Sequence, residues 1–161
     1  MDIHELIVFK NWADEIYLSY MEDLTEKQFA ESIPTINKSA KLILFHIYAV
    51  YWSWYHRITD RNYSDEPELE ESSKSDIIEG IKGFNQKFLE YIENEGFNNT
   101  ITIQWRKEDR PVETTAENVL FNYVTHSAYH RGQIALILKY HGIKEIKETD
   151  FNPYIYEKGQ E

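Results

Sequence analysis

Residues 39–58, SAKLILFHIYAVYWSWYHRI, restrict what this chain can fold into more than any other stretch. A run of this length without proline or glycine, and apolar on every side, forms a helix about 30 Å long. Such a helix either crosses a bilayer or is covered by protein on all its faces. Lys41, His46, His56 and Arg57 decide between the two, because a single isolated span would carry them into lipid at high cost. The expectation is the most buried helix of a globular protein, capped by Ser39 and running to about residue 60, with His46 in its middle and shielded from solvent.

A buried helix needs other helices to cover it. Residues 2–22 place Ile3, Leu6, Ile7, Phe9, Ala13, Ile16, Tyr17 and Tyr20 at steps of three and four, the pattern of an amphipathic helix, and Pro34 then marks an extended connection. Residues 60–75, DRNYSDEPELEESSKS, are polar and acidic and read as a surface loop. Ile77, Ile78, Ile81, Phe84, Phe88, Leu89 and Ile92 define a third helix that Gly96 stops. TITIQW at 100–105 alternates β-branched with polar residues, and RPVETT follows a charged turn, so a short two-stranded excursion is expected. Thr114 with Glu117 forms a capping box for a fourth helix, apolar from Val119 to Leu138 and ended by Gly142. The expected fold class is all-α: a four-helix bundle with a short β-hairpin inserted between helices three and four. With 161 residues and 19.3 kDa the chain suits a single domain spanning residues 1–161.

Composition removes several function classes. There is no cysteine, so disulfides, thiolate ligands and a cysteine nucleophile are excluded, and any metal must be held by nitrogen and oxygen. Lys plus Arg is 17 against 28 Asp plus Glu, a net charge of −11. That charge repels phosphate backbones and anionic bilayers, so neither direct nucleic-acid binding nor membrane attachment is expected. The opening residues MDIHELIVFKNWADE show no basic n-region and no long apolar core, which leaves the cytoplasm as the expected location.

Three of the six histidines fit one site. His126 and His130 are four apart, one turn above each other on one helix face, near enough to reach one ion. His46, on another helix, is the best placed third nitrogen. His56 lies roughly 15 Å beyond His46 and about 80° round the helix, so it cannot share that site. His141 sits in the last turn before Gly142, where a cation favours the helix dipole, and His4 has no partner at ligand spacing. Spacing alone does not separate such a trio from core histidines that satisfy ordinary acceptors. A zincin helix is excluded because HSAYH lacks the glutamate after its first histidine, and a di-iron bundle because no histidine follows a glutamate by three.

NWAD at 11–14, LILFHIYAVYWSW in the second helix, HSAYHRGQI at 126–134 and the ending TDFNPYIY together resemble the DinB/YfiT-like family, a bacterial superfamily of metal-dependent enzymes. HSAYHRGQ is the most specific block, since the family's last two metal histidines stand four apart with Arg-Gly-Gln directly after. The resemblance covers the whole chain length. It implies an up-down-down-up four-helix bundle, frequently a homodimer, in which His46, His126 and His130 face one ion and leave positions open for water or substrate.

Three histidines with an open position describe a reactive rather than a structural site, because structural zinc is closed by four protein ligands. A divalent ion there lowers the pKa of bound water or stabilises a small thiolate. Zinc, nickel and iron all suit imidazole, as does copper, so the ion is not fixed. Since the family the chain resembles includes transferases that use low-molecular-weight thiols, the resemblance implies, as the leading expectation, a metal-dependent transferase of that kind, or a hydrolase acting on a small molecule; no catalytic side chain is identifiable. A metal-binding or ligand-sensing homodimeric bundle without turnover, or a purely structural homodimer, are the alternatives. Gln133 stays near the metal face, about 300° round from His130, whereas Arg131, about 100° round, suits an interhelix salt bridge. Gly132 suits close helix approach, and Tyr123 and Trp12 suit core packing better than a pocket lining.

Overall fold

A computed structural model describes residues 2–59, 67–104 and 108–160. Four long helices account for most of them: α1 (Ile3–Asp23), α3 (Ala40–Thr59), α4 (Lys74–Glu95) and α5 (Ala116–Tyr140). Two short helices, α2 (Glu26–Ala30) and α6 (Phe151–Lys158), and a two-stranded antiparallel sheet of β1 (Thr100–Ile103) and β2 (Val112–Thr115) complete the described residues. The all-α class and the hairpin before the last long helix are as expected. The sheet runs in the register Thr100↔Thr115 to Ile103↔Val112. Residues 60–66 of the acidic stretch, and Trp105 at the end of TITIQW, lie outside the described residues.

Local chemistry explains where the helices begin. Capping boxes open α1 (Asp2 with Glu5), α2 (Thr25 with Gln28) and α4 (Ser73 with Asp76), each satisfying two amides that the first helical turn leaves without partners. Ser39 caps α3 as expected, its Oγ accepting from the Leu42 amide at 3.2 Å. The cap of α5 is Thr115, not Thr114: Thr115 Oγ1 accepts from the Asn118 amide at 3.3 Å, while Thr114 Oγ1 takes the Asn118 side chain at 3.0 Å. Gly96 ends α4 at φ 75° and Gly142 follows α5 at φ 90°, both in the region where a side chain is strained.

The long helices form a ring in the order α1, α4, α3, α5, so that α1 lies opposite α3 and α4 opposite α5. Their apolar faces meet around Ile7, Met21, Ile43, Leu44, Tyr51, Ile77, Ile81, Phe88, Leu120, Tyr123 and Ile137, all of them sealed from solvent. α6 closes one side of α1, with Phe151 and Tyr154 against Phe9 and Trp12. α3 is not covered all round: Leu42 and His46 are exposed and Val50 and Ser53 are half-buried. An apolar sequence on every side predicts burial on every side, whereas the ring covers only the face of α3 that turns inward.

The core also carries charge. Asp14 on α1 accepts from Ser127 Oγ (2.5 Å) and Arg131 Nη1 (3.1 Å) on α5, from Tyr51 Oη (3.1 Å) on α3, and pairs with Lys10 Nζ (2.9 Å). Lys10 Nζ also donates to Asn85 Oδ1 on α4 at 2.5 Å and sits over the rings of Tyr51 and Tyr123. One buried network therefore touches all four long helices. Burial raises the Asp14 carboxyl, but Lys10 and Arg131, with the Ser127 and Lys10 hydrogen bonds, outweigh it and hold it below the usual carboxylate range. Burial dominates at Lys10, which the partly opposing Asp14 leaves at about 7.

Candidate metal centre

α5 has two working faces one residue apart. Ser127 and Arg131 turn into the core and lock α5 to α1 through Asp14, and this fixes the direction in which the neighbouring His126 and His130 project, towards α3. There they meet His46. The ring centroids are 5.2 Å apart for His46 and His126, 4.9 Å for His46 and His130, and 4.4 Å for His126 and His130. One ring nitrogen from each lies within 4.8 Å of the others, the one group of this kind among the described residues that could hold a metal ion.

The three histidines form a gradient from solvent to core: His46 is exposed, His126 half-buried and His130 buried. The exposure of His46 corrects the expectation that it is shielded, and it makes the cluster open on one side. The Nε2 atoms of His126 and His130 are both buried without a hydrogen-bond partner. Such orphaned groups are uncommon and call for a reason, and a bound cation is the partner that two converging imidazole nitrogens suit. The residues present therefore fit a metal ion.

Electrostatics favour the neutral, ligating form. Burial, then the neighbouring His130 and His46, bring His126 down to about 4. Burial and Lys38 lower His46, and burial with His46 and Lys38 lowers His130 against the opposing hydrogen bond that His130 donates to Gln133. His130 Nδ1 lies 2.8 Å from Gln133 Oε1. With the amide oxygen accepting, the proton resides on Nδ1 and the Nε2 lone pair faces the cluster, the usual way a side chain orients a ligating histidine.

The other histidines stand apart, as their spacing predicts. His56 Nδ1 is 2.7 Å from the Trp52 carbonyl, His4 is 3.9 Å from Glu93, and His141 is the C-cap of α5. Arg131 makes the expected interhelix salt bridge. Tyr123 is sealed in the core and donates to Asn85 Oδ1, and Trp12 rests against Phe9 and Tyr154, so neither lines the centre. Gly132 is corrected: it is exposed, and a Cβ there would meet nothing within 4 Å.

Beside the cluster a cleft of about 390 Å³ is lined by His46, Val50, Ser53, Trp54, Arg57, Asn122 and His126. Sequence reasoning did not find it. The available signal was the spacing of His46, Val50, Ser53, Trp54 and Arg57, which puts one polar and apolar stripe along α3 beginning at the ligand position.

Fold and cluster together define a class: a helical bundle whose two facing helices bring three histidines to an open site compatible with metal binding. The chain belongs to the DinB family, whose model matches residues 2–159. It is 22% identical to the protein DinB of Bacillus subtilis (strain 168), over 94% of this chain and 92% of that protein. Its fold is similar to the crystal structure of a DinB-like protein from Bacillus cereus ATCC 10987, with a TM-score of 0.61 and 17% identity over 88% of this chain and 91% of that one.

Proposed function

We propose that His46, His126 and His130 hold one divalent metal ion, zinc, nickel or iron, and that the chain is a metal-dependent transferase using a low-molecular-weight thiol, or a hydrolase acting on a small molecule. The observation that carries the metal reading is the pair of buried, unpartnered Nε2 atoms beside an exposed third imidazole. An ion held by three neutral nitrogens with an open position would supply acidity to a coordinated water or thiol. The chain's own part is to keep the imidazoles neutral by burial, to orient His130 through Gln133, and to hold α5 in place through Asp14 and Arg131. The adjoining cleft gives a small substrate a place to lie against the reacting end.

We also propose that the chain works as a homodimer in the cytoplasm. Phe121, Tyr129, Leu136 and Tyr140 form an exposed apolar stripe along α5, with Leu42 exposed on α3. Among the described residues no helix is long and apolar enough to cross a membrane.

Metal content by mass spectrometry tests the reading on wild type and His130→Ala, each dialysed against metal-free buffer and then offered zinc or nickel. About one ion per chain, lost in the variant, is expected, and turnover is then sought with thiol cosubstrates. Equal and negligible metal in both reduces the trio to ordinary histidines. A loaded protein that turns over no thiol or ester substrate favours the alternative, a metal-binding or ligand-sensing bundle, which the lack of a carboxylate among the described residues lining the cleft supports.

A further inference from the structure

Arg57 lies in the last turn of α3, where its charge has no carboxylate partner among the described residues. It ends the α3 stripe that starts at His46, eleven residues and about 16 Å further along the axis yet only about 20° round it. Its Nη1 donates to the Gln104 carbonyl at 2.8 Å, and its Nε is buried with no acceptor. Among the described residues no carboxylate pairs with it. The guanidinium stands 5.1 Å from the Trp54 ring, within reach of the aromatic face that such cations prefer. In a chain of net charge −11, an arginine lining a cleft with no Asp or Glu among its described lining residues is a distinct local feature.

The cleft has a consistent layout along its length. His46 and His126 form one end, Val50 and Trp54 supply an apolar wall, and Ser53 and Asn122, whose side chains make no hydrogen bond among the described residues, offer polar groups midway. A second cleft of about 230 Å³ shares Trp54 and Asn122 and continues to Ile103, Thr114, Asn118 and Val119, at the hairpin. Side chains on a helix lean towards its N-terminus, so Arg57 reaches back along α3, leaving on the order of 10 Å between guanidinium and histidines. That span and the cleft volume match a small organic molecule.

We propose that this cleft binds a small organic carboxylate, with its carboxylate on Arg57, its flat or apolar body against Trp54 and Val50, and its reacting end towards His46, His126 and His130. Arg57 is favoured for this over a lysine because its planar fork meets a carboxylate through two parallel hydrogen bonds. The assignment of a reacting end rests on the metal reading above; the carboxylate site itself does not.

The test is a pair of probes of the same shape, 3-phenylpropionate and the uncharged 3-phenylpropan-1-ol, titrated by calorimetry into the full chain, both zinc-loaded and metal-free. In wild type the carboxylate is expected to bind at least tenfold more tightly than the alcohol in both states. Arg57→Gln is expected to remove that preference from the metal-free protein, and Arg57→Lys, which keeps the charge, to retain part of it. No preference in metal-free wild type, or the same preference in Arg57→Gln, overturns the proposal; a preference seen only with zinc shows that the ion rather than Arg57 takes the carboxylate, which also overturns it. Metal content measured on the same samples keeps the two readings apart, since a chain that takes up no zinc yet discriminates through Arg57 defeats the metal reading alone.

Discussion

Gln133 is the residue whose removal separates orientation from ligation. Among the described residues its side chain hydrogen-bonds His130 and no other group. Partners of this kind are worth about 10–100-fold in metal affinity, so Gln133→Ala is expected to weaken zinc binding by that factor while leaving thermal stability nearly unchanged. Unchanged affinity in a competition titration with a chromophoric chelator would remove Gln133 from the site. The buried network makes an asymmetric prediction. Asp14→Leu leaves Lys10 and Arg131 buried without their anion and is expected to cost about 3–5 kcal/mol, whereas Lys10→Met leaves the Asp14–Arg131 pair intact and is expected to cost less than about 1.5 kcal/mol. Lys10 also gives a pH signature. Folding brings it from 10.5 to about 7, so between these values the unfolded chain binds a proton the folded one does not, and stability rises with pH. Tyr51 and Tyr123, both pushed well above 10 by burial, reverse the trend above that pH. Urea titrations at about pH 7 and about pH 9.5 should show this rise in wild type and its absence in Lys10→Met; parallel behaviour would assign it elsewhere. The histidine trio was legible in sequence because a pair four apart on a helix is a local signal. The network was legible too: Ile3, Ile7, Lys10, Asp14, Tyr17 and Met21 follow alternate steps of four and three. The two charged members were passed over because a hydrophobic pattern counts only its apolar positions.

At the scale of elements, the glycines of α4 and α5 provide a controlled comparison. A Cβ on Gly80 would collide with the Tyr48 ring, which lies in the crease between α3 and α4, whereas Gly83 and Gly132 have open space around theirs. Gly83→Ala and Gly132→Ala are each expected to stabilise by about 0.5–1 kcal/mol, because alanine costs the helix less backbone entropy. Gly80→Ala is expected to destabilise by about 1–3 kcal/mol through overpacking, and the loss should shrink in a Tyr48→Ala background. Urea midpoints for the set decide it, and a stabilising Gly80→Ala would show that Tyr48 swings away freely. The long helices were readable because each carries several turns of periodic apolar residues. α2 and α6 were not: α2 is 5 residues and α6 is 8, too short for periodicity to register and held in place by tertiary contacts. Pro153 adds to the disguise of α6, since a proline reads as a breaker although it is tolerated in a first helical turn, where its missing N–H has no partner to lose. The one-residue shift of the α5 cap has the same origin. Thr114 and Thr115 both offer a hydroxyl, and the choice falls to the hairpin register that pairs Thr115 with Thr100, a long-range constraint absent from any local motif.

The whole molecule sets a net charge of −11 against an apolar stripe on α5, and these act oppositely on self-association. Tyr129 is 66% exposed and Phe121 55%, and both lie on the stripe; the Tyr129 ring also rests 5.0 Å from His130, so a second copy seated there would border the histidine cluster. Large exposed apolar side chains grouped on one helix face suit an interaction face, while like charges on two copies repel over about 10 Å at moderate salt. If the homodimer forms through the stripe, its dissociation constant should fall as sodium chloride screens that repulsion, the reverse of an association held by ion pairs. Light scattering across a concentration series at low and at moderate salt is expected to show a dimer that tightens with salt. Phe121→Glu combined with Leu136→Glu should give a monomer under the same conditions, because each places a carboxylate in the apolar contact. The cluster is built from one chain, His46 on α3 and His126 and His130 on α5, so the monomeric variant should still take up about one metal ion per chain if the metal reading holds. A wild type that stays monomeric throughout the series would defeat the dimer while leaving the metal reading untouched, and a monomeric variant that loses the ion taken up by wild type would mean that the partner copy stabilises the site that one chain assembles.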